Sequence, residues 1–307
     1  MRVAVIGAGG VGGYFGGRLA AAGTDVTFVA RGAHLAAIRA NGLRVESGAG
    51  DFVVSAKTVE DPAQIGPVDV VIVTVKLWDT QAVVGTIAPL LHKDTAVISL
   101  QNGVSKDDAL REAVGKHHVV GGVAYIAAVI DRPGVIRHTG TVQRLVLGEY
   151  GGQKTPRIDA LVEACRAAGI DALLSDNIER AIWEKFVFLV GLSGSTSVIR
   201  QPIGVIRADA QARSLLHALL RETVDVGRAH GVALDPNYAD DRLAFCDTLP
   251  GAITSSMHGD LERGNRLELP WLQGAVVALG REASVDTPAN AFVRDALSVY
   301  AGGTPAA

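Results

Sequence analysis

Three features bear most directly on chemistry: the glycines of GAGGVG (residues 7 to 12), an arginine at position 31, and a lysine at position 185. The glycine pattern G-x-G-x-x-G follows the apolar run Arg2 to Ile6 at once and opens a helical stretch, the context in which it cradles a pyrophosphate. Gly7 permits the tight turn, Gly9 lets the backbone approach a phosphate, and Gly12 lets helix and strand pack closely. Gly10 and Val11 complete the loop, where first-turn amides and the helix dipole favour an anion. In such units an Asp or Glu at the end of the second strand holds the ribose hydroxyls of NAD. Here that strand, VTFVAR, ends in Arg31, which can instead pair with a 2′-phosphate; NADPH is the expected cofactor.

Lys185 stands in IWEKFVFLVGLSGST, followed by five apolar residues. An ammonium among such neighbours is costly unless it snorkels to water or has a partner. On the residues alone it is either a surface lysine at the edge of a core helix or a charge held in a site. Lys76 in VTVK and Asn102 in QNGV fall just after strands, where the strand ends of an open parallel sheet border a ligand crevice. Lys76 also reads as a solvated strand-end lysine, and Asn102 as half of a common Asn-Gly turn. The pair His117-His118 has no further ligand nearby in sequence, and no metal site is expected.

These residues need a scaffold, and the hydrophobic pattern supplies one. Apolar runs at 2 to 6, 25 to 30, 68 to 75 and 95 to 100 read as strands one to four. Helical stretches lie between them: 11 to 23, 34 to 42 and 79 to 91. Such alternation makes a parallel sheet covered on both faces. From 119 to 150 three extended runs broken by Pro133-Gly134 and Gly140 suggest antiparallel hairpins, followed by a helix at 156 to 168 and the short strand IDALLS. From Asn177 onward nearly everything reads helical. The expected division is an α/β dinucleotide-binding domain over 1 to 176 and an all-α domain over 177 to 307, with a frayed tail AGGTPAA.

Composition excludes several functions. The 307 residues are 48% hydrophobic and 20% charged with a formal net charge of -3, which offers no field for nucleic acid or an anionic membrane. No run is expected to reach the ~18 apolar residues of a membrane span. Cys165 and Cys246 are far apart, as suits a reduced, cytoplasmic protein.

Together the motifs GAGGVGG, VARGAHLAAIRANGLRV, VTVKLWDT, QNGV, WEK and SSMHGDLERGNRLELPWLQGAVVALG make the chain resemble the ketopantoate reductases (2-dehydropantoate 2-reductases) over nearly its whole length. The resemblance implies a Rossmann domain followed by a helical domain of the 6-phosphogluconate dehydrogenase type. It also implies NADPH-dependent reduction of a small 2-oxo acid by a monomer or homodimer, in that family ketopantoate to pantoate on the pantothenate pathway. It places Lys185 on the catalytic lysine, Glu268 on the acid that orients substrate and lysine, and Ser256 on a serine that binds the substrate carboxylate. From their places at strand ends, Asn102 is expected to serve cofactor and substrate, and Lys76 cofactor or substrate. His258 and Asn265 lie beside these positions and could reach substrate. The chain departs from the pattern at Leu189, Ser193 and Ile203, where asparagines are expected, and at Leu269-Pro270 after the acid. Ser193 keeps a hydroxyl for the substrate, whereas leucine and isoleucine favour an apolar substituent over a hydroxylated one. Other readings are a related 2- or 3-hydroxy acid dehydrogenase and a non-catalytic NADP-binding sensor.

Overall fold

The computed structural model describes residues 1 to 304; Pro305 to Ala307 of the expected frayed tail lie outside the described residues. Its elements in chain order are β1 (Arg2–Ile6), α1 (Gly10–Ala21), β2 (Asp25–Val29), α2 (Gly32–Asn41), β3 (Leu43–Ser47), β4 (Phe52–Val54), β5 (Lys57–Val59), β6 (Val70–Val73), α3 (Thr80–Val84), β7 (Ala96–Ser99), α4 (Asp108–Val114), β8 (Val119–Arg132), β9 (Val135–Gly148), α5 (Pro156–Ala167) and β10 (Asp171–Leu174). Helices follow: α6 (Ile178–Ile199), α7 (Ile203–Ala208), α8 (Ala210–Ala229), α9 (Tyr238–Thr248), α10 (Ser256–Glu262), α11 (Gln273–Glu282) and α12 (Pro288–Ala296).

The chain divides into two compact units, Met1–Gln101 with Lys106–Ala181, and Asn102–Ser105 with Ile182 onward. The division falls within α6, and a four-residue piece after β7 joins the second unit.

In the first unit the strands run β5-β2-β1-β6-β7-β8, all parallel, so the order reverses beside β1. That reversal opens a crevice at the carboxyl ends of β1 and its neighbours, where ligands of doubly wound sheets bind. β8 pairs with β7 at Val119 and Val120, then turns antiparallel to β9 from Gly121 onward. β9 in turn pairs in parallel with β3 and β10. The expected separate runs 134 to 139 and 143 to 150 are therefore one long strand, which passes through Gly140 at φ +80°. A change of register between Ile126 and Ala127 accommodates the extra residues.

Three strands were not expected: β3, β4 and β5 occupy 43 to 59. They are three to five residues long and carry Arg44, Glu46 and Lys57, so no apolar run announces them. The helix expected over 79 to 91 is mostly 3₁₀ turns around the five-residue α3. Gly85 and Pro89 interrupt it.

The second unit is helical around one core that includes Trp183, Phe186, Val190, Leu216, Leu220 and Val276. Helix α6 is long and apolar enough by length and composition to cross a membrane, contrary to the expectation that no run would be. Two-thirds of its most apolar window is buried inside the protein, as in a core helix (67%). The first part of the tail is also more ordered than expected: Leu267 N–H donates to Ala301 O, and Thr304 N–H to Gly264 O.

Candidate active site

The phosphate loop has the geometry its glycines suggest. Gly7 has φ +101°, a region open to glycine, and its carbonyl accepts from Thr74 Oγ1 at 2.6 Å. A Cβ on Gly12 would fall 2.2 Å from Gly7 O and from Thr74 Oγ1, so no side chain fits there. A Cβ on Gly9 would meet nothing within 4 Å, which is the open approach a phosphate needs. Gly9 is the N-cap of α1 and makes no side-chain cap, which leaves first-turn amides to a ligand. The residues present fit a bound pyrophosphate.

The remaining glycines of α1 answer to packing. A Cβ on Gly10 would lie 2.0 Å from Ala128 O, one on Gly13 2.7 Å from Ile136 and one on Gly16 2.6 Å from Phe28. Helix α1 is thus pressed between the parallel strands on one side and β8 and β9 on the other. His34 braces the loop: Nδ1 accepts from Gly134 N at 3.0 Å, so Nε2 carries the proton and donates to Ala8 O at 2.7 Å.

Arg31 follows β2, is 72% exposed at its side chain, and donates to Asp79 Oδ2 at 3.1 Å. Lys76 is exposed after β6, its ammonium 5.5 Å from the centre of the Trp78 ring.

In the second unit, Lys185 sits two turns into α6. Trp183, Phe186, Val187 and Val190 are buried, whereas Glu184, Lys185, Phe188 and Leu189 are half-buried along another face. Helical periodicity therefore places the ammonium beside the core, without enclosing it. Gly191 lets α8 close on this helix, since a Cβ there would fall 2.4 Å from Leu220.

Lys185 Nζ donates to Asn102 Oδ1 at 2.9 Å, and Asn102 Nδ2 donates to Glu268 Oε2 at 3.0 Å. The amide thus faces its oxygen to the ammonium and its nitrogen to the carboxylate, the polarity each charge requires. Sequence reasoning chose all three residues. It expected the acid to orient the lysine, and missed that the amide of Asn102 links them. Glu268 is 6% exposed, and its backbone carbonyl accepts from Trp271 N and Leu272 N, which fixes the turn that presents it.

Two buried residues flank the Asn102 segment in sequence. Gln101 Nε2 donates to Val75 O at 2.8 Å and to Thr80 Oγ1 at 2.7 Å. Lys106, 4% exposed, donates to Ser99 O at 2.7 Å and to Asp107 Oδ2 at 3.0 Å. Burial pushes the Lys106 ammonium below the ordinary lysine range, and Asp107 beside it works the other way. Burial also pushes the Tyr150 phenol up, as does Asp107, which accepts a hydrogen bond from it. Sequence reasoning passed over Lys106, Asp107 and Tyr150, because nothing in QNGVSKD marks a lysine as buried.

Other expected site residues are placed differently. Ser193 is 1% exposed and Ile203 0%, the latter inside the helical core with its N–H on Ile253 O. Eight residues on from Lys185 the helix has turned about 80° past two full turns, which leaves Ser193 on the same broad side of α6. Of the three departures Ser193 and Ile203 are buried, and Leu189 is half-buried. Ser256 is exposed at the first position of α10, and Ser255 before it caps that helix by accepting from His258 N. His258 is buried and occupied: Nδ1 meets Thr196 O at 2.7 Å and Nε2 meets Glu262 at 3.1 Å. Asn265 donates to Asp260 Oδ1 at 3.1 Å.

A doubly wound sheet with a phosphate loop, joined to a helical unit that carries a lysine, amide and carboxylate in series, defines a dinucleotide-dependent oxidoreductase acting on a CH–OH group. The family models for ketopantoate reductase PanE/ApbA and for its C-terminal domain match residues 3–152 and 177–301, and the chain belongs to that family. It is 32% identical over 300 residues to the uncharacterized oxidoreductase YkpB of Bacillus subtilis, covering 98% of this chain and 99% of that one. The crystal structure of 2-dehydropantoate 2-reductase from Geobacter metallireducens superposes with a TM-score of 0.90 at 33% identity, covering 97% and 99%. The ternary structure of D-mandelate dehydrogenase with NADH and anilino(oxo)acetate has a TM-score of 0.89, covering 98% of each chain. Its 23% identity is a likeness of fold alone.

Proposed function

We propose that this protein reduces a 2-oxo acid with an apolar substituent to the 2-hydroxy acid, with NADPH as cofactor. The observation that carries the reading is the hydrogen-bonded series Lys185–Asn102–Glu268, with Leu189 one turn beyond the lysine. Gly7, Gly9, Gly10, Val11 and Gly12 would hold the pyrophosphate, and Arg31 and Lys76 the 2′-phosphate. When bound, the nicotinamide supplies a hydride to the carbonyl carbon.

Charge then develops on the carbonyl oxygen, and that oxygen needs a proton. The Lys185 ammonium answers both needs: it lies close to the forming oxyanion and gives it a proton. Asn102 holds the ammonium by one of its three N–H bonds, leaving its direction set before the substrate arrives. Glu268 fixes the amide, and the amide in turn fixes the ammonium. Ser256, exposed at the start of α10, would take the substrate carboxylate.

Leu189 offers a hydroxylated substituent no hydrogen bond, and His258 and Asn265 are engaged elsewhere. This favours 2-oxoisovalerate or a phenyl-substituted 2-oxo acid over ketopantoate, because an unpaired buried hydroxyl costs about 1–3 kcal/mol. The test is NADPH oxidation over a panel of 2-oxo acids, comparing kcat/KM for ketopantoate with its deoxy analogue. A higher value for the deoxy compound is expected. A large preference for ketopantoate would assign the chain the pantothenate-pathway reaction. Binding of NADPH with no turnover on any 2-oxo acid would leave a nucleotide sensor.

A further inference from the structure

The ion pair between Arg31 and Asp79 spans the crevice in which the dinucleotide reading places the adenosine. Strands β6 and β2 flank β1 on either side. Arg31 follows β2, Asp79 lies in the turn after β6, and the phosphate loop follows β1 between them. A bond from Arg31 to Asp79, 3.1 Å long, therefore crosses above the carboxyl end of β1.

Asp79 closes the 3₁₀ turn Leu77–Asp79 that runs directly into α3, and its side chain accepts from no amide at the start of α3. Its carboxylate is turned to a guanidinium 48 residues away in sequence. The acid that usually reads ribose hydroxyls is missing from the end of β2, and one arrives instead from the neighbouring turn.

We propose that Asp79 is a specificity-determining residue that lowers the preference for NADPH over NADH; the proposal rests on the dinucleotide reading above. A 2′-phosphate needs the guanidinium that Asp79 holds, and meets the carboxylate as a like charge at the same place. A free 2′-hydroxyl makes neither demand and can donate to the carboxylate. The guanidinium of the resting pair is 72% exposed and the carboxylate 33%, so water reaches the pair and the effect is one of ratio, not exclusion.

The test is titration of NADPH and NADH into the protein, read by nicotinamide fluorescence without substrate. Asp79→Asn keeps the shape and removes the charge. It should tighten NADPH by about three- to tenfold and leave NADH within about twofold or weaker, an effect that shrinks as salt rises. Asp79→Ser should do the same, so a packing effect of the asparagine is separable. In an Arg31→Ala background the gain from Asp79→Asn should fall, because the competition for the guanidinium is gone. An unchanged NADPH-to-NADH affinity ratio in both Asp79 variants, or a shift toward NADH, overturns the inference while leaving the reductase reading in place. A wild type that binds neither nucleotide overturns that reading and this one together.

Discussion

At Lys185 the question is whether a charge among apolar residues is incidental, and its bond to Asn102 answers with a partner that is itself held by Glu268. Lys185→Ala should leave folding and NADPH affinity near those of the wild type and lower kcat by about a hundredfold or more. Small primary amines should restore part of the rate if the missing group is a proton donor. A folded variant with near-wild-type turnover would return Lys185 to the role of a snorkelling surface residue. Leu189 carries the specificity argument alone, since Ser193 and Ile203 are enclosed. Leu189→Asn should therefore raise the kcat/KM ratio of ketopantoate to its deoxy analogue by about tenfold or more. An unchanged ratio would move the determinant elsewhere. The identities of the lysine, amide and acid were legible in the sequence through their motifs. Their connection was not, because Asn102 and Glu268 are 166 residues apart and only the fold makes them neighbours. The enclosure of Ser193 was not legible, because i+8 lies on the same broad helix face as i and only the packed neighbours bury it.

At the scale of elements, the parallel strands β1, β2, β6 and β7 and the long helices were readable, because each buries a run or a stripe that leaves a periodic trace. The strands β3 to β5 were not, since their pairing is decided by distant partners such as β9 and β2. The glycines of GAGGVG were read as a loop for a ligand, with Gly12 for close packing; the structure adds that Gly10, Gly13 and Gly16 also serve close packing. Gly12→Ala should abolish nucleotide binding, because its Cβ has no room beside Gly7 O and Thr74. Retained binding in a titration would show that the loop can shift. The junction from β9 to α5 is held by Glu149, which accepts from Arg157 through both oxygens and from Thr155 Oγ1. Burial alone would raise its carboxyl, but these hydrogen bonds outweigh burial and hold it below the ordinary carboxylate range. Its stabilisation is fully present above that ordinary range and is lost as pH falls through the lowered folded-state value. Glu149→Gln should accordingly cost roughly 1–3 kcal/mol at neutral pH, with the difference from wild type closing in acid. A pH-independent difference would mean that shape, not charge, matters at this junction.

For the whole molecule, two hydrophobic clusters serve the α/β unit and a third serves the helical one, so a ligand held by one unit stabilises that unit first. Anything that binds the folded state and not the unfolded one adds RT ln(1 + [L]/Kd), about 2.7 kcal/mol at a hundred times Kd. For a unit of this size that is a rise of roughly 5–10 °C in its thermal midpoint. Calorimetry with NADP⁺ should show this rise in the transition of the α/β unit. Glu149→Gln should lower the same transition yet keep the ligand's increment, because Glu149 lies in the β9–α5 junction and not among the residues proposed to hold the nucleotide. Gly12→Ala should erase the increment whatever its effect on the midpoint, since it fills the turn that the phosphates need. If NADP⁺ instead moved the transition of Gly12→Ala as much as that of the wild type, the nucleotide would be bound somewhere other than the GAGGVG loop. The assignment of Arg31 and Lys76 to its 2′-phosphate would fall with it.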